Sequence, residues 1–167
     1  SYAMQLGYDV LGLGELHGAH TLRTTTNFIG CEEPKAGDAA SGVGIVLSKR
    51  MVSQVVDKGC VGSRIVWVQA RGLISDYLFV CVYLPHKARK RAPFQIDTIR
   101  ELDEFLQDKR WDSMCKVVLG DLNAKLQRNL PGLTGKYCMH YYPDSGGEAV
   151  QQLMRDRHLF ASSTDFR

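Results

Sequence analysis

The sequence predicts a layered α/β fold, and three observations predict it. Short apolar runs rich in β-branched residues recur at Tyr8 to Leu13, Ser41 to Lys49, Ile65 to Ala70, Tyr77 to Leu84 and Val117 to Leu119. Two other stretches carry apolar residues at helical spacing: Ile96, Ile99, Leu102, Phe105 and Leu106 within Phe94 to Leu106, and Val150, Leu153 and Met154 within Ala149 to Asp156. A chain of 167 residues at 44% hydrophobic composition is long enough for one domain with a sizeable core. The middle strands follow one another without a helix between them, which suits antiparallel meanders inside a larger sheet, with the two helices on the outside.

The stretch richest in chemistry is Lys116 to Ala124, KVVLGDLNA. Its apolar run has the composition of a central strand buried on both faces, and it ends in Gly120, Asp121 and Asn123. If the backbone stays extended, Asp121 and Asn123 project side by side past the strand end. A carboxylate orients or deprotonates water, or binds a hard cation, and a carboxamide donates to a phosphate oxygen without adding negative charge. Read alone, the same residues also describe an Asp-rich turn leaving a strand.

Ser1 to Leu6 reads as the tail of a helix closed by Gly7, and YDVLGL as a strand that delivers Glu15, with His17 two residues on. Carboxylates at the exits of apolar strands are where open α/β sheets build sites. Glu15 is equally a solvated loop carboxylate, and His17 and His20 read as polar loop histidines. Asn27 to Cys31 is a weak strand. Tyr83 closes the YLFVCVYL strand before Pro85, so its hydroxyl is expected at the same rim as Glu15 and Asp121, or else satisfied inside the core. The HKARKR run that follows brings Lys87, Arg89, Lys90 and Arg91, either a solvated loop or a contact to a phosphate backbone. The helix from Phe94 is scaffold, and Asp97 and Asp103 receive no role. Beyond Ala124, a long loop holds Arg128 and Lys136 among tyrosines, a mixture that suits stacking on bases as well as an ordinary loop. Asp144 to Gly147 reads as a turn and Leu159 to Phe166 as a final strand.

A net charge of +3 permits a polyanionic partner without requiring one. Five cysteines, widely spaced and without a CxxC pair, read as reduced thiols of an intracellular protein. No apolar run approaches the ~20 residues of a membrane span, and no basic start precedes an apolar signal core, so a soluble, untargeted chain with no membrane partner is expected.

In order along the chain, these motifs resemble the endonuclease/exonuclease/phosphatase family of metal-dependent phosphodiesterases. YDVLGLGELH is similar to the family's strand ending in a metal-binding Glu, GVGIVLSKR and RIVWVQARG to its middle strands, and VCVYLPH to the strand ending in its active-site Tyr. VVLGDLNA resembles the Gly-Asp-x-Asn signature, and TGKY with SGGEAVQQLMRDRHLFASSTDF resembles the helix and strand that follow it. Within the family, the similarity is nearest to retroelement-type endonuclease domains and the craniofacial-development-like proteins.

The resemblance implies a single partial domain over residues 1–167, incomplete at both termini, that hydrolyses phosphodiesters of nucleic acid, DNA ahead of RNA. It implies Glu15 and Asp121 as ligands of Mg²⁺, with Mn²⁺ as a substitute, Asp121 as the group that activates water, and Asn123 and Tyr83 as donors to the scissile phosphate. Lys87, Arg89, Lys90, Arg91, Arg128 and Lys136 would meet the nucleic-acid backbone. Gly14 stands where the family commonly has Gln, which removes a hydrogen bond expected to position the glutamate. The family's first strand, with an Asn, and its last strands, with an Asp and a Ser-Asp-His signature, have no counterpart here. Those strands are therefore expected from a parent polypeptide or a partner, and the 167 residues alone are expected to bind nucleic acid weakly and cleave it negligibly. The competing readings are a non-catalytic remnant that binds nucleic acid or protein, and a phosphatase acting on another phosphoester.

Overall fold

The computed structural model describes residues 7–14, 16, 27–30, 42–85 and 92–165. The expectations for Ser1 to Leu6, Glu15, His17, His20 and His86 to Arg91 lie outside the described residues. Contacts divide the chain into two compact units, one from Ser1–Tyr83 with Asp108–Leu122, the other from Leu84–Gln107 with Asn123–Arg167.

The first unit holds the strands. Among the described residues, β1 (Val10–Leu13), β2 (Phe28–Gly30) and β3 (Gly44–Leu47) form an antiparallel sheet in the order β1-β3-β2. A second sheet has the order β4-β5-β6-β7, from β4 (Val55–Val61), β5 (Ile65–Ala70), β6 (Tyr77–Tyr83) and β7 (Cys115–Asp121). β4 to β6 form an antiparallel meander, in which β5 and β6 are the expected pair, and β7 runs parallel to β6. A one-turn helix, α1 (Lys49–Val52), interrupts the predicted run of strands after β3, with Ser48 accepting from the Met51 amide as its cap.

The two sheets pack face to face, as expected. Val66 and Val68 of β5 and Cys81 and Tyr83 of β6 share one buried cluster with Ile29, Ile45 and Leu47 of β2 and β3. Alternation sends Ile65, Trp67, Leu78, Val80 and Val82 to the opposite face of the second sheet, where they are buried too, and Trp67 packs on Trp111 at a centroid distance of 5.3 Å. Burial on both faces explains why β5 and β6 read as continuous apolar runs.

Three strand expectations need correction. KVVLG is a strand but not a central one: β7 lies last in its sheet among the described residues, and Lys116 to Leu119 are only half-buried. β4 was not predicted, because Asp57, Lys58 and Gly59 hide its pattern; as an edge strand it keeps charges in solvent. Gly59 has a packing reason, since a Cβ there would stand 2.9 Å from the Trp67 ring. Of the strand expected over Leu159 to Phe166, the described residues, which end at Asp165, show one bridge, Thr134 to Ala161, and a 3-10 turn at Ser162–Thr164. There Thr164 donates through Oγ1 to the Ala161 carbonyl at 2.6 Å, a local bond that competes with a ladder. The thiol reading also changes: Cys60 is disulfide-bonded, while Cys81, Cys115 and Cys138 are free.

The second unit holds α2 (Ala92–Leu106) and α3 (Ser145–Asp156). On α2 the buried face is Gln95, Thr98, Ile99, Leu102 and Leu106, whereas Ile96, placed on that face by the apolar count, is exposed. Helix α3 starts earlier than predicted, because Asp144 caps it by accepting from the Gly147 amide at 2.8 Å and so draws the expected turn into the first helical residues. Asp103 does have a role. Arg157 donates to both of its carboxylate oxygens, at 2.7 and 3.1 Å, joining α2 to the end of α3. That guanidinium holds the Asp103 carboxyl below the usual range, with Gln107 adding to the effect and burial opposing it. No described helix is long and apolar enough to cross a membrane.

Gly120 is the glycine on which β7 depends. Its φ is +129°, and a Cβ there would stand 1.9 Å from the Val82 carbonyl oxygen across the ladder. Gly132 also has a positive φ, +73°, but a Cβ there meets nothing within 4 Å. Gly120→Ala is expected to lower stability by roughly 2–3 kcal/mol and Gly132→Ala by about 1 kcal/mol. Urea midpoints measure both, and equal losses would refute a steric role for Gly120.

Candidate active site at the ends of β6 and β7

The parallel ladder sets Tyr83 and Asp121 in register as its last pair. Both strands are stopped there by local chemistry, β6 by Pro85 and β7 by the backbone turn at Gly120 and beyond. Asp121 ends exposed. Tyr83 is only 1% exposed and its ring belongs to the core between the sheets.

Strand β1 reaches this pair by close approach. A Cβ on Gly12 would stand 2.8 Å from Cys81 Sγ and 3.1 Å from Leu119 Cβ, so β1 crosses β6 and β7 at a distance only glycine allows. At Gly14 a Cβ would lie 3.4 Å from Tyr83 Cδ2, an ordinary contact. Leu16 donates through its amide to the Gly42 carbonyl at 2.9 Å. The chain on either side of Glu15 is thus placed beside Tyr83 and the start of β3, while Glu15 itself lies outside the described residues. The two glycines of LGLG were a legible signal of close backbone approach, one that the pattern of apolar residues did not use. Burial pushes the Cys81 thiol up to about 11, so this cysteine under β1 is an inert core group.

In the second unit, Asn123 departs from the extended geometry expected of it. Its φ is +41°, the left-handed region that Asn tolerates better than most residues. The side-chain Nδ2 donates to the Leu84 carbonyl at 2.9 Å, and the main-chain oxygen accepts from Gln95 Nε2 at 3.0 Å. The Leu84 bond fixes the plane of the carboxamide. Gln95, 1% exposed, was read only as part of a scaffold helix, and no periodicity marks it as the residue that holds Asn123.

Arg128 and Lys136 sit in the same unit on the loop before α3. Arg128 lies over the Tyr141 ring at 5.7 Å, and Lys136 over Tyr137 at 4.9 Å. Lys87, Arg89, Lys90 and Arg91 lie outside the described residues. Among the described residues no group of three or more His, Cys, Asp or Glu gathers to hold a metal. The donor chemistry that is present still fits Mg²⁺, which is held by one or two carboxylates together with water and substrate phosphate rather than by a protein cage.

No protein-family model and no curated protein matches the sequence. Solved structures do match. A humanised D. rerio TDP2 carrying 14 mutations shares 17% identity at a TM-score of 0.52, covering 73% of this chain and 52% of its own. D. rerio TDP2 complexed with a single-strand DNA product shares 15% identity at the same TM-score, covering 73% of this chain and 50% of its own. The chain therefore spans about half the length of these structures. The likeness shows the fold: an α/β chain whose sheet core is like that of these TDP2 structures.

Asn123 offers a direct check on the local geometry. Asn123→Ala loses the Leu84 bond and strains the backbone, and is expected to cost about 2 kcal/mol. Asn123→Gly keeps the positive φ and should recover about half of that. Thermal or urea unfolding measures the difference, and an Ala variant as stable as the parent would contradict the arrangement.

Proposed function

We propose that this chain carries part of the site of a divalent-metal-dependent phosphodiester hydrolase acting on nucleic acid, DNA ahead of RNA. One observation supports it most: the β6–β7 register pairs Tyr83 with Asp121, and the strand leading to Glu15 passes beside Tyr83 at Gly14. The solved structure of D. rerio TDP2 with a single-strand DNA product adds weight to the substrate class.

In this reading Glu15 and Asp121 would hold Mg²⁺, or Mn²⁺ in its place, which would supply positive charge beside the phosphate oxygens. Asp121, exposed at the end of β7, accepts a proton from the attacking water or orients it by a hydrogen bond. Asn123 donates a side-chain N–H to a phosphate oxygen, its plane set by the Leu84 carbonyl. Tyr83 serves first as packing between the sheets, and its phenol is the second proposed donor; Tyr83→Phe separates the two, since it keeps the ring and removes the hydroxyl. The reading includes a kinship nearest to retroelement-type endonuclease domains and the craniofacial-development-like proteins.

The test is cleavage of supercoiled and single-stranded DNA with and without Mg²⁺. It compares the 167-residue chain, a version extended at both ends, and Asp121→Ala in each. Cleavage is expected to be negligible in the 167-residue chain, to appear with the extensions, to require the metal, and to fall at least 1,000-fold in the Asp121 variant, of the order seen when one member of a catalytic unit is removed (~10³–10⁶). Cleavage without metal, or insensitive to Asp121, would refute the site. DNA binding with no cleavage at either length would assign the chain the non-catalytic binding role instead.

A further inference from the structure

The loop between Asn123 and α3 has a surface that the proposed hydrolysis does not use. From Leu122 to Pro143 the sequence contains no Asp or Glu, while it holds Lys125, Arg128, Lys136 and His140. Three tyrosines accompany these cations. Tyr141 and Tyr142 are 69% and 83% exposed, and Tyr137 is 40% exposed.

Hydrogen bonds within the loop hold this surface in place. Gln127 bridges His140, the Arg128 amide donates to the His140 carbonyl at 2.7 Å, and Thr134, itself buried, donates through Oγ1 to the Gln127 carbonyl at 2.6 Å. Cys138 Sγ lies 3.0 Å from the Leu126 carbonyl oxygen. The rings are therefore presented by an ordered backbone, which reduces the ordering cost of binding. The Arg128 guanidinium already rests near the Tyr141 ring and donates to its hydroxyl at 3.4 Å.

We infer that this loop is a stacking surface for unpaired bases of single-stranded nucleic acid, with Tyr141 and Tyr142 as the platforms and Arg128 and Lys136 as the phosphate contacts. The inference rests on the nucleic-acid reading of the protein and adds which form of the polymer is bound, and where. Every base has a π-face, so exposed rings bind unpaired bases with little sequence preference, whereas a duplex keeps its bases stacked on each other. Cations flanking the rings, in a stretch without acidic residues, match a strand that carries one phosphate per base.

Fluorescence anisotropy of a labelled 12-nucleotide strand, and of the same sequence as a duplex, measures binding in EDTA and so without turnover. The single strand is expected to bind at least tenfold more tightly than the duplex. Tyr141→Ala and Tyr142→Ala are each expected to weaken single-strand binding by roughly tenfold, and Tyr141→Phe to retain most of it. Arg128→Ala should flatten the dependence of affinity on salt, by close to one ion released. Because these side chains are exposed, circular dichroism of the variants is expected to match the parent. Equal binding of strand and duplex, tyrosine variants that bind as well as the parent, or no binding at all would overturn the inference. Those outcomes are distinct from failure of the hydrolase reading, which the Asp121 cleavage test decides on its own.

Discussion

The parallel pairing of β6 with β7 is the constraint on which the first unit depends. It sets Tyr83 opposite Asp121, and it is made possible by one glycine whose φ and close approach to Val82 no side chain would permit. Parallel strands give no tight turn, so the 31 residues from Leu84 to Met114 intervene before β7 begins. Once the ladder is in place, β1 crosses it by the close approach at Gly12, and the two sheets close over a common core.

That arrangement divides the candidate residues by what each can do. Tyr83 contributes buried packing, and fully burying an aromatic or aliphatic side chain is worth about 1.5–3 kcal/mol, so its ring matters to the fold before its hydroxyl matters to chemistry. Asp121 is exposed at the end of β7. Asn123 is tied at both its side chain and its main chain, which converts a flexible amide into an oriented one. Positioning before substrate arrives is what makes hydrogen bonds useful in a transition state, because no reorganisation is needed at that moment.

The sequence made the buried strands and both long helices legible, since β5 and β6 are apolar on both faces and α3 presents Val150, Leu153 and Met154 as read. It failed where local chemistry outweighed pattern. β4 escaped because an edge strand tolerates Asp57 and Lys58, and α3 began early because Asp144 caps it. Leu159 and Phe160 are apolar, yet the hydroxyl-to-backbone bond at Thr164 favours a turn over Ser162–Thr164. At the site, the ladder sets Tyr83 in register with Asp121, but the period-two argument did not extend to Asn123, whose positive φ follows no hydrophobic signal. Gln95, which also holds Asn123, carries no motif, and Leu84 does so through its main-chain carbonyl, which no side-chain pattern reports.

The central claim is that Gly14, Tyr83 and Asp121 border one metal-binding neighbourhood. Mn²⁺ added in small amounts to the ¹⁵N-labelled chain tests it most directly, because the paramagnetic ion broadens nearby amide signals without any need for turnover. The account predicts that the amides of Gly14, Tyr83 and Asp121 broaden together at the lowest Mn²⁺ concentration, and that Asp121→Asn removes the effect from all three. Broadening centred elsewhere, or unchanged in the Asp121 variant, would contradict it.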